Sequence, residues 1–568
     1  MVVDLVIKDV QVYNAYFKEF ESADVAILEG KFLYIGKEEI NRLEPKIEIN
    51  GNNNYMIPGL IDIHMHIESS MTTPYHFAQG IIPHGTTTIV SDPHEIANVF
   101  GTEGIKAMID SYTENAVDIF YGVPSSVPST SEALETTGGV IKEGDVKDII
   151  GLDKICCLGE VMNFKDLIGD KDSLINNIIN IFKERAPHMQ LEGHCPKIWG
   201  LDLAKYIYTG VDADHTHQTV KSIEDKIKNG MFIEIQEKSM TQENIDYLVK
   251  NNLYEHFCFV TDDVMTDKLL DGHLNTLVKK AIDMGMPPEM AIYCATYTPS
   301  RRMGFRDRGA ISPGKIADFI LLSDLNTFNI NAVYKMGREI FNGNIMYKDG
   351  RNQFPKEFYR SVNLDKVSKD SFLIDAPIDN GDITCRIIHV NSNSTFTNEV
   401  EGNIQVLSGR LDWEQSPYCL ISVFDRYGKS NNVGYGLVTG SAINEGAVAS
   451  TYAHDHHNLM VMGKNSRDMT IATNWIIENQ GGYCVVKDGE VLAAIKLPVA
   501  GILSEEKIDI LGTDLKKVRD AMKKLGYNHY NEIMSFSTLS LPVSHDLKIT
   551  DKGLIDVKEQ KIVSLFKI

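Results

Sequence analysis

The chain has 568 residues, 43% of them hydrophobic and 24% charged, with a formal net charge of -22 at pH 7. That length exceeds one ordinary core, so two or three domains are expected, one of them large enough for a barrel of about 250 residues. The acidic excess repels phosphate polymers and anionic membranes, which disfavours nucleic-acid and lipid partners and leaves a small neutral or cationic molecule as the expected substrate.

Eight cysteines without a Cys-x-x-Cys spacing fit reduced thiols in the cytoplasm. The start MVVDLVIKDVQVYN lacks a basic stretch followed by an apolar one, and no apolar run is long enough to span a bilayer. Residues 2–49 read as short alternating strands, LVIKDVQVYN and ADVAILEGKFLYIG, punctuated by Gly30 and Gly36. Similar material returns at GAISPGKIADFILL and NAVYKMGREIFNG. The two flanks, 1–56 and 307–350, are therefore expected to pair into one small β-sandwich domain.

The central block, 57–306, alternates strand-like and helix-like segments: TTTIVSDP, then FGTEGIKAMIDSYTEN, then AVDIFYGVP, and later KICCLGEVMNF followed by KDSLINNIINIFKERAP. Such β-then-α repeats predict a mostly parallel sheet, closed as a (β/α)8 TIM-like barrel if the repeats complete a ring. Catalytic residues of that barrel lie at the C-terminal ends of its strands. After a linker over 351–371, residues 372–568 read as a C-terminal α/β domain with strands IQVLSGRL, CLISVFDRYG and GYCVVKDGEVLAAIKLPVAG and a helix in SRDMTIATNWIIENQ.

Several polar residues end apolar runs in the central block. PGLIDIHMH places His64 and His66 two apart, on one side of a strand. Glu160 ends KICCLGEVMNF, His194 lies in HMQLEGHCP, His215 and His217 in DADHTHQ, and Asp262 and Asp263 in FCFVTDDV. Histidines and carboxylates from separate strand ends make a donor set suited to Zn(II), Mn(II) or Fe(II). Glu160 has two oxygens and could bridge two ions, which would lower the pKa of a shared water. Asp262 could carry the proton from that water to a leaving nitrogen. The reaction class is hydrolysis at an electrophilic carbon, either deamination of a heterocycle or opening of an amide. His94 and Glu95 follow a β-run and could reach the same site, as could Asp263. His454, Asp455, His456 and His457 form a further cluster that invites a third metal site, but no other ligand lies at a recognisable spacing, so a hydrogen-bonded structural role is the preferred reading.

PGLIDIHMHIESS, SDPHEIANVFG, LGEVMNF, EGHCP, DADHTH and TDDV, with the return through DRGAISPGKIADFILL, resemble the amidohydrolase superfamily. AHDHHN and ATNWIIENQGGYCVVKDGEVLAAIKLPVAGILS narrow the likeness to its adenine-deaminating branch, and the resemblance covers nearly the whole chain. It implies that His64 and His66 bind a first metal and His194 and His215 a second. Glu160 then bridges where other relatives use a carboxylated lysine, and Asp262 is both ligand and proton shuttle. It also implies a binuclear Mn(2+) or Fe(2+) centre in preference to Zn(2+) and a purine-salvage reaction taking adenine to hypoxanthine and ammonia; beside it, His94, Glu95 and Asp263 are candidates for substrate contact or for a local turn or loop role, and a homodimer is expected. A related amidohydrolase acting on another amino-heterocycle or cyclic amide is the alternative, followed by a non-catalytic metal-binding homologue. Thr216 stands where the branch leads one to expect glutamate, and His456 where it leads one to expect serine.

Overall fold

The computed structural model describes residues 1–112, 116–346 and 353–567. Its central block holds eight short strands in chain order: β1 (Leu60–Met65), β2 (Thr86–Ser91), β3 (Asp118–Val123), β4 (Ile155–Val161), β5 (Gln190–Gly193), β6 (Ala213–Asp214), β7 (Phe232–Ile235) and β8 (Phe257–Phe259). β1 to β5 pair parallel in order, as do β6 to β8. The ends meet where Met65 bridges Asp262 in parallel and the Asp262 amide donates to the His64 carbonyl at 3.1 Å. Between β5 and β6 the join is made by a side chain, Asp214 Oδ1 accepting from the Cys195 amide at 2.7 Å. The expected barrel is thus present, with its helices between successive strands.

Every residue of β1 and β2 is buried, because one face is covered by the barrel interior and the other by helices; β2 is apolar or small throughout, and β1 is apolar except for Asp62 and His64. The helix expected from Phe100 onward begins earlier, at His94, and runs to Asp110 with a break at Gly101. Residues 113–115, the end of that expectation, lie outside the described residues. So do 347–352, which close the expected flank domain and open the expected linker.

The two flanks join in one eight-stranded sheet. Phe319–Leu322 runs antiparallel to Tyr55–Pro58, which itself pairs with the long first strand, Val2–Asn14. A bulge between Ile7 and Val10 bends that first strand. One apolar cluster then gathers Val12, Val25, Met56, Phe319 and Tyr334 from both flanks.

The C-terminal region is built on a nine-stranded sheet. Helix Ser466–Asn479 lies against it, capped by the Asn465 side chain and burying Met469, Ala472, Thr473, Ile476 and Ile477 at helical spacing. The loop between strands Ala447–Ser450 and Leu459–Gly463 carries AHDHHN. It leaves the sheet and enters the mouth of the barrel. A single apolar core runs through both bodies, including Ile67 and Phe77 of the barrel with Leu503 and Leu515 of the C-terminal region.

Candidate metal centre

Strand alternation aims Asp62, His64 and His66 to one side of β1. Asp62 lies deepest, accepting from the Thr261 hydroxyl at 2.6 Å, and burial pushes its carboxyl up to about 7. His66 donates from Nδ1 to the Asp92 carbonyl at 3.0 Å, which leaves the Nε2 lone pair facing Glu160 and Asp262 at 3.6 and 3.4 Å. A backbone carbonyl that fixes the tautomer in this way is how proteins prepare a histidine for a metal. His64 Nε2 is buried without a hydrogen-bond partner, 3.9 Å from Asp262 Oδ1.

Glu160 ends β4 and stands at the centre of the ring. Its Oε2 lies 2.7 Å from His194 Nδ1 and 3.2 Å from His215 Nε2, while Oε1 faces His66. Two triads therefore share this carboxylate, His64 with His66 and His194 with His215, each with its donor atoms within 4.8 Å of one another. Burial alone would raise the pKa of Glu160, but His215 and His194 outweigh it and hold the group well below the usual carboxylate range. Asp262 is likewise held low, its burial outweighed by the proximity of His66 at 3.4 Å and the charges of Lys238 and His215. Its backbone has φ 56, in the left-handed region, which few residues other than glycine, asparagine and aspartate adopt. The buried, unpartnered His64 nitrogen, the prepared His66 lone pair and a carboxylate shared by two histidine pairs fit a divalent metal site.

The mouth is lined from both bodies. His94 and Glu95 open the first turn of helix His94–Asp110, with His94 Nδ1 3.6 Å from Asp92 and 3.9 Å from Glu160. Burial opposes a charge on His94, but the Asp92 carboxylate prevails and raises it to about 10. Both oxygens of Glu95 face C-terminal histidines: Oε1 lies 2.5 Å from His454 Nδ1, and Oε2 accepts from His457 Nε2. Asp263 accepts from Ser69 Oγ at 2.5 Å. It is solvent-accessible although protein packs densely around it, as befits a side chain lining a cleft. A surface cavity of about 520 Å³ lies elsewhere, beside Val362, Ser371 and Phe424, and touches none of these groups.

All six expected donors converge, and His94, Glu95 and Asp263 border them. His217 is exposed, and Thr216 turns its hydroxyl onto Asp214 Oδ2 at 3.0 Å, away from the ring. His456 Nδ1 accepts from the Asn458 amide at 3.0 Å, within the loop itself. Sequence reasoning passed over Asp62, Asp92 and Glu234, the last standing 3.9 Å behind His215 Nδ1. Asp62 had a signal, since it continues the two-residue period of His64 and His66.

The fold and its donor ring together define the amidohydrolase class. Residues 55–340 match the amidohydrolase family and 394–561 the adenine deaminase C-terminal domain. An adenine deaminase of Clostridium perfringens (strain 13 / Type A) is 57% identical, covering 100% of this chain and 99% of that protein. Adenine deaminase 2 of Shouchella clausii is 49% identical over 100% and 99%, and an adenine deaminase of Thermosipho melanesiensis 36% over 99% and 97%. The chain belongs to the adenine deaminase family of amidohydrolases.

Proposed function

We propose that the protein hydrolyses adenine to hypoxanthine and ammonia. The observation that carries this reading is the 57% identity with the Clostridium perfringens enzyme along the whole chain. That match spans the donor-bearing barrel and the C-terminal loop at its mouth alike.

His64 and His66 would hold one divalent ion and His194 and His215 a second, with Glu160 between them and Asp262 completing the set. Mn(2+) or Fe(2+) is preferred to Zn(2+). What such a pair supplies when bound is a water of lowered pKa at neutral pH. The remaining work belongs to side chains. Asp262 takes a proton from the water that adds to C6 of adenine and delivers it to the amino nitrogen, so that the C6–N bond breaks and ammonia leaves. His94 and Asp263 border the space where the heterocycle would lie. Glu95, with both oxygens engaged, acts through the histidines it holds.

Among the described residues no helix is long and apolar enough to cross a membrane. Eight free cysteines suit a reducing cytoplasm. Exposed Trp199, Leu201 and Tyr208 offer an apolar surface for a homodimer.

The test is ammonia and hypoxanthine release from adenine by protein loaded in turn with Mn(2+), Fe(2+) and Zn(2+), with metal content measured on the same samples. Turnover with Mn(2+) or Fe(2+) is expected. Loaded protein that leaves adenine intact but acts on another member of a purine and pyrimidine panel would replace this reading with that of a related amidohydrolase.

A further inference from the structure

We propose that His454, supplied by the C-terminal region, contacts the substrate, its Nε2–H donating a hydrogen bond to a ring nitrogen of the heterocycle. This rests on the adenine reading and adds a specificity residue to it. The first ground is rigidity. The His454 amide donates to Ser537 Oγ at 3.2 Å, and its carbonyl accepts from Ser540 Oγ at 3.0 Å, so one turn fastens both sides of the residue. The rest of the loop is tied equally firmly: Tyr427 donates to the His456 carbonyl at 2.6 Å and Asn458 to the Thr136 carbonyl of the barrel at 2.8 Å.

Orientation is the second ground. His457 Nδ1 accepts from the Ala453 amide at 3.2 Å, so its proton sits on Nε2 and is given to Glu95. His457 holds this position with φ 49, a backbone state that a histidine rarely adopts without cause. Glu95, fixed on one oxygen, uses the other to hold His454 Nδ1. A carboxylate on one imidazole nitrogen is the arrangement that presents the opposite nitrogen for work.

That opposite nitrogen is the third ground. His454 Nε2 is buried without a hydrogen-bond partner, although His454 as a whole is only 5% exposed. Buried polar atoms are almost always satisfied, and the exceptions call for an occupant. The surroundings indicate which one. Glu95, which holds His454, lies 3.7 Å from His94 Nε2, and His94 Nδ1 lies 3.9 Å from Glu160. His454 thus stands at the rim of the donor ring, not in it. Burial opposes a charge on His454, but Glu95 at Nδ1 and Asp455 outweigh it and favour the protonated form, in which Nε2 is a donor. A flat heterocycle presents lone pairs on its ring nitrogens as the matching acceptors.

The experiment compares equilibrium binding of adenine with that of 1-, 3- and 7-deazaadenine, each of which replaces one ring nitrogen by C–H, to metal-loaded protein with His454 intact, called wild type here, and to His454→Asn, both carrying Asp262→Asn so that the ligands are not turned over during the measurement. Asparagine keeps an amide near Nδ1 to hold Glu95 but has nothing at Nε2. In wild type one deaza analogue is expected to bind at least tenfold more weakly than adenine. In His454→Asn adenine binding should fall to that analogue's level, the analogue itself losing little, with metal content and Tm unchanged. His454→Gln, which can place an amide nitrogen near Nε2, should recover part of the loss. Wild type that binds all three analogues within twofold of adenine overturns the proposal, and needs no His454 variant to do so. It is equally overturned by His454→Asn binding adenine within twofold of wild type, or weakening adenine and every analogue by one common factor. Protein with Asp262 and His454 both intact that does not deaminate adenine, while its Asp262→Asn form does not bind it, would instead remove the reading on which the proposal rests.

Discussion

Glu160 and Asp262 belong to the same ring, yet their neighbours give them different work. Glu160 has a histidine pair on each side, so its loss affects both. Glu160→Ala is expected to lower bound metal from about two ions per chain to one or none, read by elemental analysis; two ions retained would remove the bridging role. Asp262 has one oxygen toward His64 and His66 and the other 3.8 Å from Lys238. Asp262→Asn keeps shape and one oxygen but cannot shuttle a proton. It should therefore keep at least half of the metal while kcat falls by about 10²–10⁴-fold, the usual range for a lost general acid-base group. The six residues that converge here were legible as candidates because each ends an apolar run in a β/α repeat. The clamp on Glu95 was not: His457 lies 362 residues away, and nothing local in either segment names the other. Thr216 shows the complementary case, a departure in sequence whose side chain the loop absorbs by bonding it to Asp214.

At the scale of elements, the helix bearing His94 and Glu95 started six residues before the expected place, because Pro93 caps a helix whose break at Gly101 disguised its period. Gly101 has φ 59 and ψ -141, a region that essentially only glycine occupies, and a Cβ there would meet no atom closer than 3.6 Å. The cost of Gly101→Ala is therefore conformational alone, about 1–3 kcal/mol, measurable by denaturant titration. Gly139, packed against it, differs: its Cβ would fall 2.0 Å from the Gly101 amide nitrogen, so Gly139→Ala should destabilise more. Lys548 lies in strand Leu547–Thr550, which is buried at every position, and its ammonium has the Thr395 carbonyl at 3.0 Å as acceptor. Burial depresses its ammonium to about 7. An unfolded lysine titrates near 10.4, so between about pH 7 and pH 10 the unfolded state binds the extra proton and stability rises with pH. Lys548→Met should raise Tm most at pH 6, where the buried charge costs fully, and progressively less toward pH 10. An equal gain at both ends would mean that the lysine is neutral or solvated throughout.

Across the whole molecule, the C-terminal region braces the barrel at the places its site needs. One brace is the Glu95 clamp. Another is Arg519 on helix Ile508–Lys524, which reaches into the barrel and donates to both oxygens of Asp267 at 2.8 and 3.4 Å, five residues beyond Asp262. A third joins Thr136 to Asp551 through the amide and hydroxyl at 2.9 and 2.7 Å. Sequence patterning distinguishes a β/α-repeat block from β-rich flanks and a C-terminal body, but it carries no information on how such bodies dock, since the docking contacts obey no period. With one apolar core running through both, the chain should unfold calorimetrically in a single transition, not as two independent domains. Arg519→Ala would leave the buried Asp267 carboxylate without its partner, at a cost of about 3–5 kcal/mol. For a chain of this length the unfolding entropy is about 1.2 kcal/mol/K, so the shift in Tm should be only about 3–4 °C. The transition should stay single while kcat falls, because the segment that aims Asp262 loosens before the molecule comes apart. A full kcat with the lowered Tm would show that the brace serves stability alone.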